Sequence, residues 1–143
     1  MHEWQVFRID GDAQAPSRAR SLVETAVGER FGVDLLNELK LLVSEVVTNS
    51  VRHGGADAAD EIQLGLTIDG ASLRVDVVDH GPGFMAGRRR RIREDPGGWG
   101  LYLVEQLSES WGIEETETTR VWFQMATERY VAAGGQSVLS LSA

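Results

Sequence analysis

Residues 44–55 read SEVVTNSVRHGG, with an acid, an amide and an imidazole at four-residue intervals: Glu45, Asn49 and His53. Leu42, Val43, Val46 and Val47 sit among them, the aliphatics of a helix that packs against something. Four residues advance about 400° around a helix axis, so each step drifts by only about 40°. Glu45, Asn49 and His53 therefore share an arc of about 80°, while Leu39, Leu42, Val43, Val46 and Ser50 lie largely on the other side. Two readings stay open: a solvated stripe on an amphipathic helix, or one wall of a site. A carboxylate beside an amide oxygen suits a base next to an Mg²⁺ ligand, because hard cations take oxygen donors.

Outward from this helix, Asp34 is a good N-cap for its start and Gly54-Gly55 end it. Upstream, EWQVFRI (3–9) alternates sides like a strand and stops at Asp10-Gly11-Asp12. Pro16 opens an earlier helix, continued at helical spacing by Ala19, Leu22, Val23, Ala26, Val27 and Arg30 and closed by Phe31-Gly32. Downstream, EIQLGLTID and SLRVDVVD alternate and join at Asp69-Gly70, a hairpin signal. A loop containing Gly, Arg and Pro runs from Gly81 to about Gly98; LYLVEQLSES then reads as a helix, and WGIEET and RVWFQMA as strands. The order β-α-α-β-β-loop-α-β-β predicts an α+β fold. Its form would be a two-layer sandwich, a mostly antiparallel mixed sheet with helices on one face. Nothing divides the chain, so residues 1–143 are expected to be a single domain with its core at about 5–128 and a patternless tail at 129–143.

At 143 residues, 42% hydrophobic and 25% charged, the chain can bury a core of its own. A formal net charge of −8 argues against sequence-independent nucleic-acid binding, which needs Lys and Arg to neutralise phosphates. GRRRRIR (87–93) is a local exception that a solvated loop explains. No segment reaches the roughly 20 apolar residues of a membrane span, and MHEWQVFRID lacks a secretory pattern. Zero cysteines exclude disulfides and thiolate metal sites, which fits a cytoplasmic location.

Two further stretches could carry chemistry. In DHGPGF (79–84), Asp79 ends a strand, and Gly81 and Gly83 allow a close backbone approach that a Cβ would block. A carboxylate there could accept a hydrogen bond from an exocyclic amine such as that of adenine. In GGWGLYLVEQL (97–107), glycines lead into a helix whose free N–H groups and dipole suit phosphate oxygens. No Gly-Lys-Ser/Thr follows, so this is not a Walker loop. Taken alone, the first stretch reads as a plain strand-ending turn and the second as a common glycine-rich helix start.

Together and in this order, the acid/amide helix face, the strand-end D-x-G-x-G and the G-x-G at a helix start form a specific combination. It resembles the Bergerat-type ATP-binding fold of the GHKL superfamily, shared by gyrase-type topoisomerases, histidine kinases and mismatch-repair ATPases. The chain looks most like the short bacterial anti-sigma-factor serine/threonine kinases, a likeness that LVEQLSESWGI followed by VWF extends. The resemblance implies ATP and Mg²⁺ as cofactors, Glu45 as general base and Asn49 as Mg²⁺ ligand. It makes Asp79 the carboxylate that reads adenine, supported by Gly81 and Gly83. Gly98, Gly100 and Leu101 would form the phosphate loop, His53 would lie beside the nucleotide, and residues 84–98 would be the ATP lid, with Arg88–Arg91 near the phosphates. The implied partners are a STAS-type anti-anti-sigma protein, phosphorylated on serine, and a sigma factor. Direct nucleic-acid and membrane contacts are not implied, and a homodimer is left open.

Relatives often carry a glycine before the late Val-Trp strand, where this chain has Thr118-Thr119-Arg120-Val121. The third nucleotide contact would then fall to the hydroxyl of Thr118 or Thr119. Trp99 also stands where a smaller or polar residue is usual. The leading expectation is a protein serine kinase acting as an anti-sigma factor. Its alternative is a nucleotide-gated protein-binding regulator without significant kinase activity.

Overall fold

The hairpin expected at Asp69-Gly70 forms: β2 (Glu61–Asp69) pairs antiparallel with β3 (Ser72–Asp79), with Asp69 opposite Ser72. Gly70 takes φ 61, a left-handed turn conformation that glycine adopts without a Cβ penalty. Alternation then gives the two faces unlike roles. Ile62, Leu64, Leu66, Leu73, Val75 and Val77 are buried on one face, whereas Gln63, Thr67, Arg74 and Asp76 stand on the other.

The computed structural model describes residues 2–54, 61–79 and 99–127. Besides the hairpin it contains β1 (His2–Asp10), α1 (Ala15–Val27), α2 (Val33–Gly54), α3 (Trp99–Leu107), β4 (Ser110–Glu115) and β5 (Thr119–Ala126). The sheet order is β1-β2-β3-β5-β4, and each of these pairings is antiparallel. The α+β architecture with a mostly antiparallel sheet is therefore as the sequence predicts.

All three helices join the same apolar core as the inner sheet face. Ala15, Ala19, Val23 and Val27 of α1 repeat every four residues and are fully buried, as are Leu35, Leu39, Leu42, Val43, Val46 and Val47 of α2. From the sheet they meet Phe123 and Met125. Truncating a fully buried member such as Leu39 to Ala would cost about 2–5 kcal/mol, lost transfer energy plus a cavity.

Two helix ends differ from expectation. α1 stops at Val27 rather than at Phe31-Gly32, because Gly28 adopts φ 61 while its N–H still reaches the Glu24 carbonyl at 2.9 Å. α2 starts at Val33, and Asp34 lies within its first turn rather than capping it; the Gly32 carbonyl accepts the N–H of Leu36. An acid there still favours the positive helix end.

Candidate nucleotide site

α2 supplies the polar stripe, and its burial is the informative quantity. Glu45 is half-buried and Asn49 is only 5% exposed, so Asn49 is not part of a solvated stripe. Among the described residues, neither Oδ1 nor Nδ2 of Asn49 finds a hydrogen-bond partner. A buried polar group left unmet costs about 1–3 kcal/mol, so such an amide calls for a ligand. His53 occupies the last turn of α2.

The sheet adds two buried polar residues. Asp79 is the last residue of β3 and Thr119 the first of β5; they face each other in register, 4% and 1% exposed. Strand parity puts Asp79 on the face of Val75 and Val77, and Thr119 on that of Val121 and Phe123. Both therefore belong to the side covered by the helices, where α2 packs on β3. Of the two threonines that the sequence left open, Thr119 is the one buried beside Asp79. The Thr118 carbonyl is engaged in the β4–β5 turn, accepting the Thr116 N–H at 2.9 Å.

α3 packs against α2 and brings Leu101, 6% exposed, into the core. It begins at Trp99, earlier than the run LYLVEQLSES suggests, so Gly100 is inside the first turn rather than ahead of it. Gly81, Gly83, Gly98, the lid at 84–98 and Arg88–Arg91 lie outside the described residues. Glu45, Asn49, Asp79, Leu101 and Thr119 thus come from four elements that share one core.

Arg120, at the position flanking the expected glycine, serves the opposite face. Its guanidinium donates to Asp76 at 2.9 Å, and Arg74 makes a bidentate pair with the same carboxylate, 2.9 Å at each oxygen. Arg74 also stacks on Trp122, 4.4 Å from the ring centroid. Burial pushes the Asp76 carboxyl up, but hydrogen bonds from the two guanidiniums and their charge outweigh it and hold it below the usual range. Alternation in SLRVDVVD and TRVWFQMA placed these side chains on one face, yet their pairing needed the β3–β5 register.

An Mg²⁺ shared between one side-chain oxygen and phosphates needs no preformed ligand cluster. Among the described residues there is no group of three His, Asp or Glu side chains able to hold a metal. The unmet Asn49 amide fits such a shared ion. No helix among the described residues is long and apolar enough to cross a membrane.

A family model described as a histidine kinase-like ATPase domain matches residues 11–125, and the chain belongs to that family. Within it, the chain is similar to serine-protein kinases. Serine-protein kinase RsbW of Listeria monocytogenes serovar 1/2a is 32% identical over 120 residues, covering 75% of this chain and 76% of the relative. Serine-protein kinase RsbW of Oceanobacillus iheyensis is 30% identical over 89 residues, covering 54% and 56%. The chain is thus a member of the serine-protein kinase RsbW group of these ATPases. In fold, it is similar to the crystal structure of the RsbU and RsbW domains of Rv1364c from Mycobacterium tuberculosis, with a TM-score of 0.65 at 21% identity. That match covers 85% of this chain and 32% of the other, so this chain spans about a third of that protein's length. The histidine kinase domain from Erythrobacter litoralis EL346 has a TM-score of 0.59 at 23% identity, covering 81% and 65%.

Proposed function

We propose that this protein is an ATP-dependent serine kinase that phosphorylates a STAS-type anti-anti-sigma protein and, as an anti-sigma factor, holds a sigma factor. One observation carries the nucleotide reading: the buried Asn49 amide, one helical turn from Glu45, with no partner among the described residues. The serine-kinase relatives support the reaction class.

When bound, ATP supplies the phosphoryl group and Mg²⁺ offsets the charge on its phosphates. Glu45 takes the proton of the attacking serine hydroxyl. Asn49 holds the metal through its Oδ1. Asp79 accepts a hydrogen bond from the adenine amine, with the Thr119 hydroxyl beside it and Gly81 and Gly83 allowing close approach. Gly98, Gly100 and Leu101 present the phosphate loop, and His53 lies next to the nucleotide. Residues 1–143 form one domain in this reading, and the protein works in the cytoplasm.

The test is incubation with labelled ATP, Mg²⁺ and a panel of candidate STAS-type proteins. Label should appear on serine of one of them. Because a general base lowers the barrier without being needed for ground-state binding, Glu45→Ala should cut transfer by about 10²–10⁴-fold and leave ATP affinity within a few-fold. Tight ATP binding by the wild type, with no transfer to a panel containing the true partner, would make it a nucleotide-gated binding regulator instead.

A further inference from the structure

We propose that Glu115 is a specificity-determining residue of the nucleotide site: with Asp79 it holds the 6-amino group of adenine and turns away 6-oxo purines. In this role, which rests on the ATP-binding reading, Glu115 extends the site by one strand.

One row of the sheet places it there. At the end where β3 stops, Ile9, Ile62, Asp79, Thr119 and Glu115 stand in register across β1, β2, β3, β5 and β4. Facing residues of antiparallel strands share a side, so all five belong to the face that the helices cover. Two residues further in, Phe7, Leu64, Val77, Val121 and Ile113 make an apolar row. The end row changes character halfway: apolar on β1 and β2, then carboxylate, hydroxyl and carboxylate on β3, β5 and β4. Glu115 is the outer member of that polar floor. Its Oε2 is closed off from solvent, and Asp79 and Thr119 beside it are buried. Glu114, one residue earlier, serves the opposite face, its side chain 60% exposed and 3.6 Å from Arg120. α2 adds an independent mark of a ligand: it packs on β3 and brings the Asn49 amide, buried and unmet among the described residues.

The chemistry of the floor selects a base. Carboxylates accept hydrogen bonds and donate none. An exocyclic amine offers two hydrogens, and a floor with a carboxylate on each side of Thr119 takes both. The 6-oxo group of hypoxanthine or guanine offers only lone pairs to the same carboxylates and leaves them unmet. Strands lie about 4.8 Å apart, so Asp79 and Glu115 start from backbones about 10 Å apart. The extra methylene of Glu spans part of that distance, where a second Asp would fall short. A site built around a donor rejects the analogue lacking it far more strongly than an apolar pocket can.

Calorimetry with ADP and IDP, which differ only in a 6-amino or 6-oxo base, tests this by binding alone. The wild type should prefer ADP by at least about 10²-fold. Glu115→Gln, whose amide can donate to a 6-oxo group, should shrink that preference at least about tenfold. It should also bind IDP more tightly than the wild type does, a gain that misfolding cannot produce. Glu114→Gln should leave the preference unchanged. Should Glu115→Gln not fold, Glu115→Asp keeps the charge but withdraws it, and must also shrink the preference. A wild type indifferent to the base would overturn the proposal. So would an unmoved preference in the Glu115 variant while Asp79→Ala loses ADP affinity, a result that leaves the ATP site standing. A wild type that binds neither nucleotide removes the site and the role of Glu115 together.

Discussion

Asn49 and Asp76 show two opposite ways of burying polarity. Asp76 is fully answered: two guanidiniums hold a carboxylate whose side chain is 14% exposed. Its pKa is depressed in the folded state, so the cluster's stabilisation is present in full above the ordinary carboxylate value of about 3.9. It is lost as pH falls through the lower folded value. Asp76→Asn, which leaves Arg74 and Arg120 facing each other, should cost about 1–2 kcal/mol in urea unfolding at pH 7, an amount discounted for the half-exposed arginines. The deficit should shrink as pH falls below the ordinary carboxylate range; a deficit that stays constant with pH would assign the loss to packing. Asn49, in contrast, has no such partner among the described residues. Asn49→Ala should lose most of the Mg²⁺-dependent part of ATP affinity, while binding measured in EDTA changes little. Equal losses in the two buffers, read by calorimetry, would make Asn49 a structural residue.

At the scale of elements, the sequence was legible wherever one period governed. The alternation of β2 and β3, the four-residue spacing in α1 and the Asp69-Gly70 turn gave strands, helix and hairpin. Element ends were less legible, because Gly28 and Gly32 decide them through backbone conformation and a carbonyl, not through side-chain pattern. For the site, spacing alone put Glu45 and Asn49 on one helix face. That Asn49 is buried, and that Thr119 rather than Thr118 stands beside Asp79, required the register of three strands. Nor did periodicity reveal the close approach at Gly112 of β4. A Cβ there would lie 2.7 Å from Nε1 and 2.9 Å from Cε2 of Trp122, whose ring is stacked under Arg74. Gly112→Ala should therefore destabilise the protein by about 1–3 kcal/mol, the cost of overpacking. Gly32→Ala, with open space around the added methyl, serves as the control. Equal melting temperatures for the two variants would show that the indole yields freely.

For the molecule as a whole, ligand binding and folding are linked. A nucleotide that binds only the native state at a hundred times its Kd adds about 2.7 kcal/mol of stability. Mg²⁺-ATP should accordingly raise the melting temperature of the wild type, and Asp79→Ala should lose most of that rise. A full shift in Asp79→Ala would take adenine recognition away from this carboxylate. The topology has a further consequence, in time rather than space. β1 leaves the ribosome before its partner in the sheet, which begins only at Glu61, about fifty residues later. At about 5–20 residues per second, Trp4 and Val6 wait roughly 3–10 s for the strand that pairs with them. During that interval the backbone N–H and C=O groups of β1 have no sheet partner, a hazard of pairing with the wrong strand. Synthesis slowed between residues 10 and 61 should lower the soluble yield of the wild type more than that of Val6→Glu.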